Sequence, residues 1–358
     1  MTVTITEPDS IISTRGGIIE NRHAVHVAIT DEAGNLLFDV GDPHRMTLAR
    51  SAAKPAQALA ILESGAFERF GFDDADLAIM CASHSSEDRH IERVRGILEK
   101  IGAGEGVMRC GGHAAVSGLV NRAWIKQGYE PTAICNNCSG KHAGMLAGSL
   151  AIGAGFEGYH LPGGPMQERV RAVVEELSGL PSGQVKWGID GCNLPAPALP
   201  LCYMGKVYAV IAGASDAVEK SQGASSATRT HALSRIFDAM TRYPEMVGGE
   251  DRFCTMLMNA FQGALIGKVG ADGCYGVGIR ASEQTARLGA VGSIGIAVKI
   301  EDGNLDVLYS AVAEILERLR IGTPEIRQEF AAFHHPDILN SAGVVTGGFS
   351  HPFELKRV

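Results

Sequence analysis

Long apolar runs are missing from this chain, and so is any excess of positive charge. No stretch approaches the roughly 18–20 uninterrupted apolar residues that a bilayer-spanning helix requires, which argues against a membrane protein. Acidic residues outnumber basic ones by 40 to 32, for a formal net charge of −8. Such a balance repels phosphate backbones and anionic lipid, so nucleic acid and membrane surfaces are excluded as main partners. Met1 to Ser10 carries acidic residues and no basic-then-apolar leader, so a cytoplasmic protein is expected. Low-complexity linkers, charge blocks and fixed-period repeats are also lacking, and any subdomains are therefore interleaved rather than strung in line. The 8 cysteines, without a secretory leader, read as free thiols, metal ligands or catalytic groups rather than a disulfide framework. What the chain has in quantity is glycine, 45 of 358 residues, which points to tight turns and close backbone packing.

Periodicity and punctuation give a coarse map of elements. Ala24 to Thr30 and Leu36 to Val40 read as a hairpin around Asp31-Glu32-Ala33-Gly34-Asn35. A helix follows Ser51, and Pro55 fits only if that helix has just begun. Leu77 to Ala82 is expected to be a short buried strand leading into Ser83-His84-Ser85-Ser86. A helix with Ser85 or Ser86 as cap should then bury Ile91, Val94, Ile97, Leu98 and Ile101. Further helices are expected over Lys141 to Ile152, from Gly164-Pro165 to Gly179, and over Arg229 to Met240, Arg252 to Ile266 and Val307 to Leu319. Strands are expected at Cys274 to Ile279 and Gly295 to Ile300. From Thr323 onward only a short helix near Glu325 to Phe333 can be read.

Ser51, Ala52, Ala53 and Lys54 form a Ser-x-x-Lys tetrad. A serine hydroxyl needs an adjacent base to act as a nucleophile. Residues three apart on a helix share a face, so the spacing predicts a lysine amine within reach of the serine oxygen. Such a lysine works as a base only when uncharged, which apolar surroundings such as Leu48, Ala49, Ala52, Ala53, Ala56 and Leu59 favour. Alone the tetrad is weak, since the residues fall three apart by chance in most chains of this length. Ser51 could simply cap a helix, and Lys268 could sit at a helix C-terminus beside the macrodipole.

The order of elements adds context: a hairpin, a Ser-x-x-Lys helix, a helical middle, a Lys-x-Gly strand, a second hairpin and a terminal helix. It resembles the α+β architecture of penicillin-binding proteins and serine β-lactamases, an antiparallel sheet flanked by helices plus a mostly helical part. On that likeness the chain is one interleaved catalytic unit. Its sheet subdomain spans approximately residues 11–50 and 268–358, and its helical middle approximately residues 51–267. Lys268-Val269-Gly270 departs from the usual Lys-Thr-Gly or Lys-Ser-Gly by a valine, which removes a hydroxyl that often contacts a substrate carboxylate.

Five segments carry a more specific resemblance. They are Arg50-Ser51-Ala52-Ala53-Lys54-Pro55-Ala56-Gln57, Cys81-Ala82-Ser83-His84-Ser85, Cys135-Asn136-Asn137-Cys138-Ser139-Gly140-Lys141-His142, Gly188-Ile189-Asp190-Gly191-Cys192-Asn193-Leu194-Pro195 and Tyr243-Pro244-Glu245-Met246-Val247-Gly248-Gly249. In this order they resemble the rhizobial-type L-asparaginases, from roughly Ile18 to the C-terminus. The resemblance implies a homodimer that hydrolyses L-asparagine to aspartate and ammonia. It implies two Ser–Lys tandems in one pocket, Ser51 with Lys54 and Ser83 with Lys268. It places a zinc ion on Cys138, Lys141 and Cys192, with an open fourth position. It puts Asp190 at an acidic pocket position, lines the pocket with Arg50 and His142, and adds Cys254 as a further pocket cysteine.

Other readings of the same residues compete. By ligand counting zinc is a minority reading, since a structural site normally takes four protein ligands and only one Cys-x-x-Cys pair, Cys135 and Cys138, is present. His84, His90 and His113 read as structural histidines, and Cys81, Cys110, Cys202 and Cys274 as small buried hydrophobes. Asp190 is either a turn residue or the holder of a substrate ammonium. Among functions, a glutaminase or another small-amide or β-lactam hydrolase is the near alternative, and a non-catalytic amino-acid or metal sensor the distant one. Of the two serines, Ser51 is the expected nucleophile, because its N–H lies at a helix start.

Overall fold

The computed structural model describes residues 9–221 and 228–358, so most of the Met1 to Ser10 segment read for a leader lies outside the described residues. The chain is α+β. It divides into two compact units: Met1–Ala52 with Leu199–Gly213 and Ala260–Val358, and Ala53–Ala198 with Ala214–Asn259. Among the described residues no helix is long and apolar enough to cross a membrane.

The first unit is built on an antiparallel sheet. Its strands run in the order Ile338–Leu339, Val345–Ser350, Ser10–Arg15, Ile18–Asp31, Ile294–Ile300, Cys274–Ile279 and Leu265–Gly270. Leu36–Val40 also pairs with Ile18–Asp31, and Lys356–Arg357 pairs with Leu36–Val40. The expected N-terminal hairpin is present, with Val27 opposite Val40 and Ile29 opposite Phe38. Its turn is held by the Asp31 carboxylate, which accepts from Asn35 N and Nδ2 at 2.9 Å each.

Three strands of this sheet, Leu265–Gly270, Cys274–Ile279 and Ile294–Ile300, are buried at every position. Strands covered on both faces read as continuous apolar runs, and these do. Alternation assigns the covers. Tyr275 meets Tyr309 of the helix Leu305–Leu319 edge to face, with ring centroids 6.3 Å apart. Gly276 faces the other way, where a Cβ would fall 2.0 Å from the Tyr208 ring. Tyr208 lies on the first part of the helix Leu201–Ser221, a long element the sequence analysis did not foresee.

The second unit is mostly helical. Lys54–Leu62, Asp74–Met80, Asp88–Lys100 and Pro165–Ser178 all pack against Ser139–Ala151, which is buried from Ser139 to Ser149. Small residues let this central helix approach its neighbours; a Cβ at Gly140 would stand 2.2 Å from the Ile79 carbonyl oxygen. A hairpin, Lys186–Ile189 paired with Pro195–Pro200, completes the unit.

Several expectations need correction. Leu77 to Ala82 is not a strand: it belongs to the helix Asp74–Met80 and the turn after it. That helix is buried from Ala75 to Met80, so it shows no amphipathic period, and a short apolar run cannot then be told from a buried strand. The missed start signal was the Asp73–Asp76 capping box. Ser85 and Ser86 do not cap the next helix. Glu87 is its N-cap, while the two serines donate to the Gly248 and Cys135 carbonyls at 2.9 and 2.7 Å. The helix expected to reach Ile266 ends at Phe261, and Lys268 lies on the strand Leu265–Gly270, which disposes of a helix-end role. The tail beyond Thr323 holds strands that its short, exposed sequence did not announce.

The approach at Gly140 yields a stability prediction. Gly140→Ala should lower unfolding free energy by about 1–3 kcal/mol through overpacking against the Ile79 backbone. A urea midpoint equal to that of the parent chain would contradict the packing.

Candidate active site

Lys54 opens the helix Lys54–Leu62 directly after a 3-10 turn, Arg50–Ala53, with Pro55 in the first helical turn where its missing N–H costs nothing. Its side chain is completely buried. The amine donates to the Ala82 carbonyl and to Ser83 Oγ, the latter at 3.2 Å. Ser83 is itself buried and is fixed by its backbone, whose N–H donates to the Val247 carbonyl at 3.0 Å. The serine that the structure joins to Lys54 is therefore Ser83, 29 residues away, whereas the spacing had matched Lys54 with Ser51. No sequence signal at that separation could have revealed the pairing.

The hairpin Lys186–Ile189 and Pro195–Pro200 carries Asp190 and Cys192 in its turn. Asp190 N donates to the Leu194 carbonyl and Asn193 N to the Asp190 carbonyl, both at 2.8 Å. Asn193 sits at φ +68°, in the left-handed region that asparagine tolerates. This turn brings Cys192 to Cys138 and Lys141, which lie at the N-terminal end of the central helix. A hydrogen bond from Cys192, with the nearby Lys54 and Lys141 amines, holds the Cys138 thiol well below its ordinary range despite burial. The same bond and burial push Cys192 up. Cys138 Sγ also lies 3.2 Å from Asn137 Oδ1, to which its thiol donates. Burial alone would lower Lys141, but Cys192, Cys138 and Asp190 outweigh it and raise the amine.

Two sulfurs and an amine are donors that zinc accepts, and three of them leave one tetrahedral position open. The Cys138 thiol is lowered toward its ligating form, so the donor set fits the ion the sequence likeness implies, on loss of the protons at Cys138, Cys192 and Lys141.

The neighbouring histidines are held as neutral rings. His84 Nδ1 accepts from Ser86 N at 3.1 Å, so its Nε2 donates to Ser139 Oγ at 2.8 Å. Burial above all, with the His90 ring and the Lys54 amine nearby, keeps it well below the usual imidazole value. His90 donates to the Glu245 carbonyl at 2.8 Å, and both rings are structural, as expected. Tyr159, which the sequence did not single out, accepts from Arg109 N at 2.9 Å and donates to His142 Nδ1 at 2.7 Å. With Tyr159 donating to Nδ1, His142 Nε2 carries the proton, buried and turned to the Cys192 backbone. His113 Nε2 accepts from Asn137 N at 3.1 Å. Cys254 is buried in the second unit at the start of the helix Phe253–Phe261.

Arg50, Ser51 and Lys268 belong to the sheet unit. Arg50 adopts φ +50°, a left-handed backbone just before Ser51, and its guanidinium pairs with Asp272. Strain of this kind in a non-glycine residue persists where the surroundings over-determine it, often at functional sites. Lys268 is fully buried and donates to the Val269 carbonyl at 2.7 Å. Its strand meets the Ser51 turn through Gly270, where a Cβ would lie 2.5 Å from the Ala49 carbonyl oxygen. Within this unit, then, the Lys-x-Gly strand abuts the turn that carries Ser51.

A buried amine bonded to a serine hydroxyl is the equipment of an acyl-transferring hydrolase. The family model of L-asparaginase II matches residues 11–351, nearly the whole chain, and the chain belongs to that family. It is an amidohydrolase, an L-asparaginase. A comparison with curated proteins found no match.

The thiol pair gives a direct check. With metal removed at neutral pH, thiolate ultraviolet absorbance should be present and should drop by one group in Cys138→Ala. An unchanged spectrum would contradict the lowered Cys138 thiol.

Proposed function

We propose that the chain hydrolyses the side-chain amide of L-asparagine through an ester on Ser83, with Lys54 as the base, on a serine β-lactamase-like architecture. The observation that carries this is the hydrogen bond between the buried Lys54 amine and Ser83 Oγ. As Ser83 Oγ attacks the amide carbon and a C–O bond forms, its proton passes to Lys54 Nζ, a step that requires the amine to enter it uncharged. Lys54 returns the proton to the departing nitrogen, the C–N bond breaks, and ammonia leaves. Water then adds to the ester, releasing aspartate and restoring the hydroxyl. Ser83 N is already committed to the Val247 carbonyl, so the oxyanion must be met by other donors.

The side chains around the pair suit an amino-acid substrate. Asp190 supplies a carboxylate for the substrate ammonium, and His142 lies beside Lys141 and Cys192. Cys138, Lys141 and Cys192 would hold zinc. When bound, that ion supplies an attractive point for the substrate carboxylate and so helps to orient the molecule. The Lys268-Val269-Gly270 strand, set against the Ser51 turn, supports the architectural likeness.

Ammonia release from asparagine tests the reading. Ser83→Ala and Lys54→Met should each lower kcat by about a hundredfold to ten-thousandfold, as removal of a proton-transfer partner does. Glutamine and a chromogenic β-lactam should turn over more slowly than asparagine. Full activity in either variant would overturn the Ser83–Lys54 assignment, and faster turnover of glutamine would reassign the substrate. Chelation should weaken asparagine binding; unchanged affinity in metal-stripped protein would refute the role given to zinc.

A further inference from the structure

The C-terminal part of the sheet unit holds a second cluster of ligand-bearing side chains that the hydrolytic reading does not use. His334 and His335 end the short helix Ala331–His334, and His351 follows the strand Val345–Ser350. One nitrogen from each ring lies within 4.8 Å of the others. The rings of His334 and His335 stack at 3.8 Å, and His351 stands 5.4 and 5.6 Å from them. Three imidazoles from two separate segments thus meet at one place.

Their hydrogen bonds decide which nitrogens carry lone pairs. Ser310 Oγ donates its single proton to the His334 carbonyl at 2.6 Å. It must therefore accept from His351 Nε2, 2.7 Å away, which leaves Nδ1 of the neutral ring bare. His334 Nε2 lies 2.6 Å from Glu314 Oε2, an acceptor, so it carries a proton, and Nδ1 is the nitrogen left for a metal. A carboxylate behind an imidazole in this manner fixes the ring and raises its basicity toward a metal. Glu314 Oε1 is held by Arg318 Nε at 2.6 Å, while Arg318 Nη2 reaches the His351 carbonyl at 2.6 Å. The arginine charge is thereby engaged on the far side of the carboxylate. His351 Nδ1 also lies 3.8 Å from Glu314 Oε2, two electron-rich atoms facing each other with room for a cation.

We propose that His334, His335 and His351, backed by Glu314, form a binding site for a divalent transition-metal ion of the zinc class. Imidazole nitrogens suit zinc, nickel and copper, and bind zinc at about 2.0–2.1 Å. Such bond lengths place ligand nitrogens ~3.4 Å apart in a tetrahedron. Closing from 4.8 Å requires the rings to turn, and His335, stacked on His334, is the exposed one of the three. An ion here would tie the helix Leu305–Leu319, through Glu314, to the two segments that follow it. The site would therefore staple the C-terminal region, independently of Cys138, Lys141 and Cys192.

Metal-stripped full-length protein, dialysed to equilibrium against zinc at neutral pH, tests this by metal analysis. The parent chain should hold one zinc ion more than His335→Ala/His351→Ala. The same difference should persist when both chains also carry Cys138→Ala and Cys192→Ala. Equal zinc content in the parent and the histidine variant overturns the site. Should the variants fold poorly, imidazole nitrogen NMR on the parent chain decides. Zinc should move the Nδ1 signals of His334 and His351 while Nε2 stays protonated, and unmoved Nδ1 signals overturn the proposal.

Discussion

A lysine amine cannot be sealed inside a protein without acceptors for its protons, and Lys54 finds them in the Ala82 carbonyl and the Ser83 hydroxyl. That requirement orders the helical unit. Ala82 and Ser83 must sit at the end of the Asp74–Met80 helix, which is fixed by its capping box and by the close passage of Gly140. Ser83 must be anchored, and its N–H reaches the Val247 carbonyl to do so. The same constraint holds the amine and the serine hydroxyl in contact, the arrangement on which the proposed chemistry rests.

Around this pair the unit gathers sulfur and amine. Cys192 hydrogen-bonds to Cys138 and lowers its thiol, and Lys141 lies beside both sulfurs. Tyr159 passes a hydrogen bond to His142, whose opposite ring nitrogen is buried and turned to the Cys192 backbone. Buried polar groups of this sort are costly unless paired.

Much of this could be read from the chain before folding. The N-terminal hairpin, the helix opened by Pro55, the Gly164-Pro165 start and the Leu305–Leu319 helix follow from turn chemistry and 3.6-residue periodicity. The candidate residues were legible as motifs: Ser51 to Lys54, Cys138 to Lys141, Asp190 to Cys192. Their partners were not. Lys54 and Ser83 are joined across 29 positions by tertiary packing, which no local spacing encodes. Leu77 to Ala82 misled because full burial erases the period that separates helix from strand. The histidine cluster near the C-terminus escaped notice because His334 and His351 are brought together only by the strand Val345–Ser350.

The most direct measurement is the site of the ester. Protein quenched in acid during turnover of asparagine, digested and mapped by mass spectrometry, should carry an aspartyl adduct on the peptide containing Ser83. An adduct on Ser51, with Ser83 unmodified, would contradict the account.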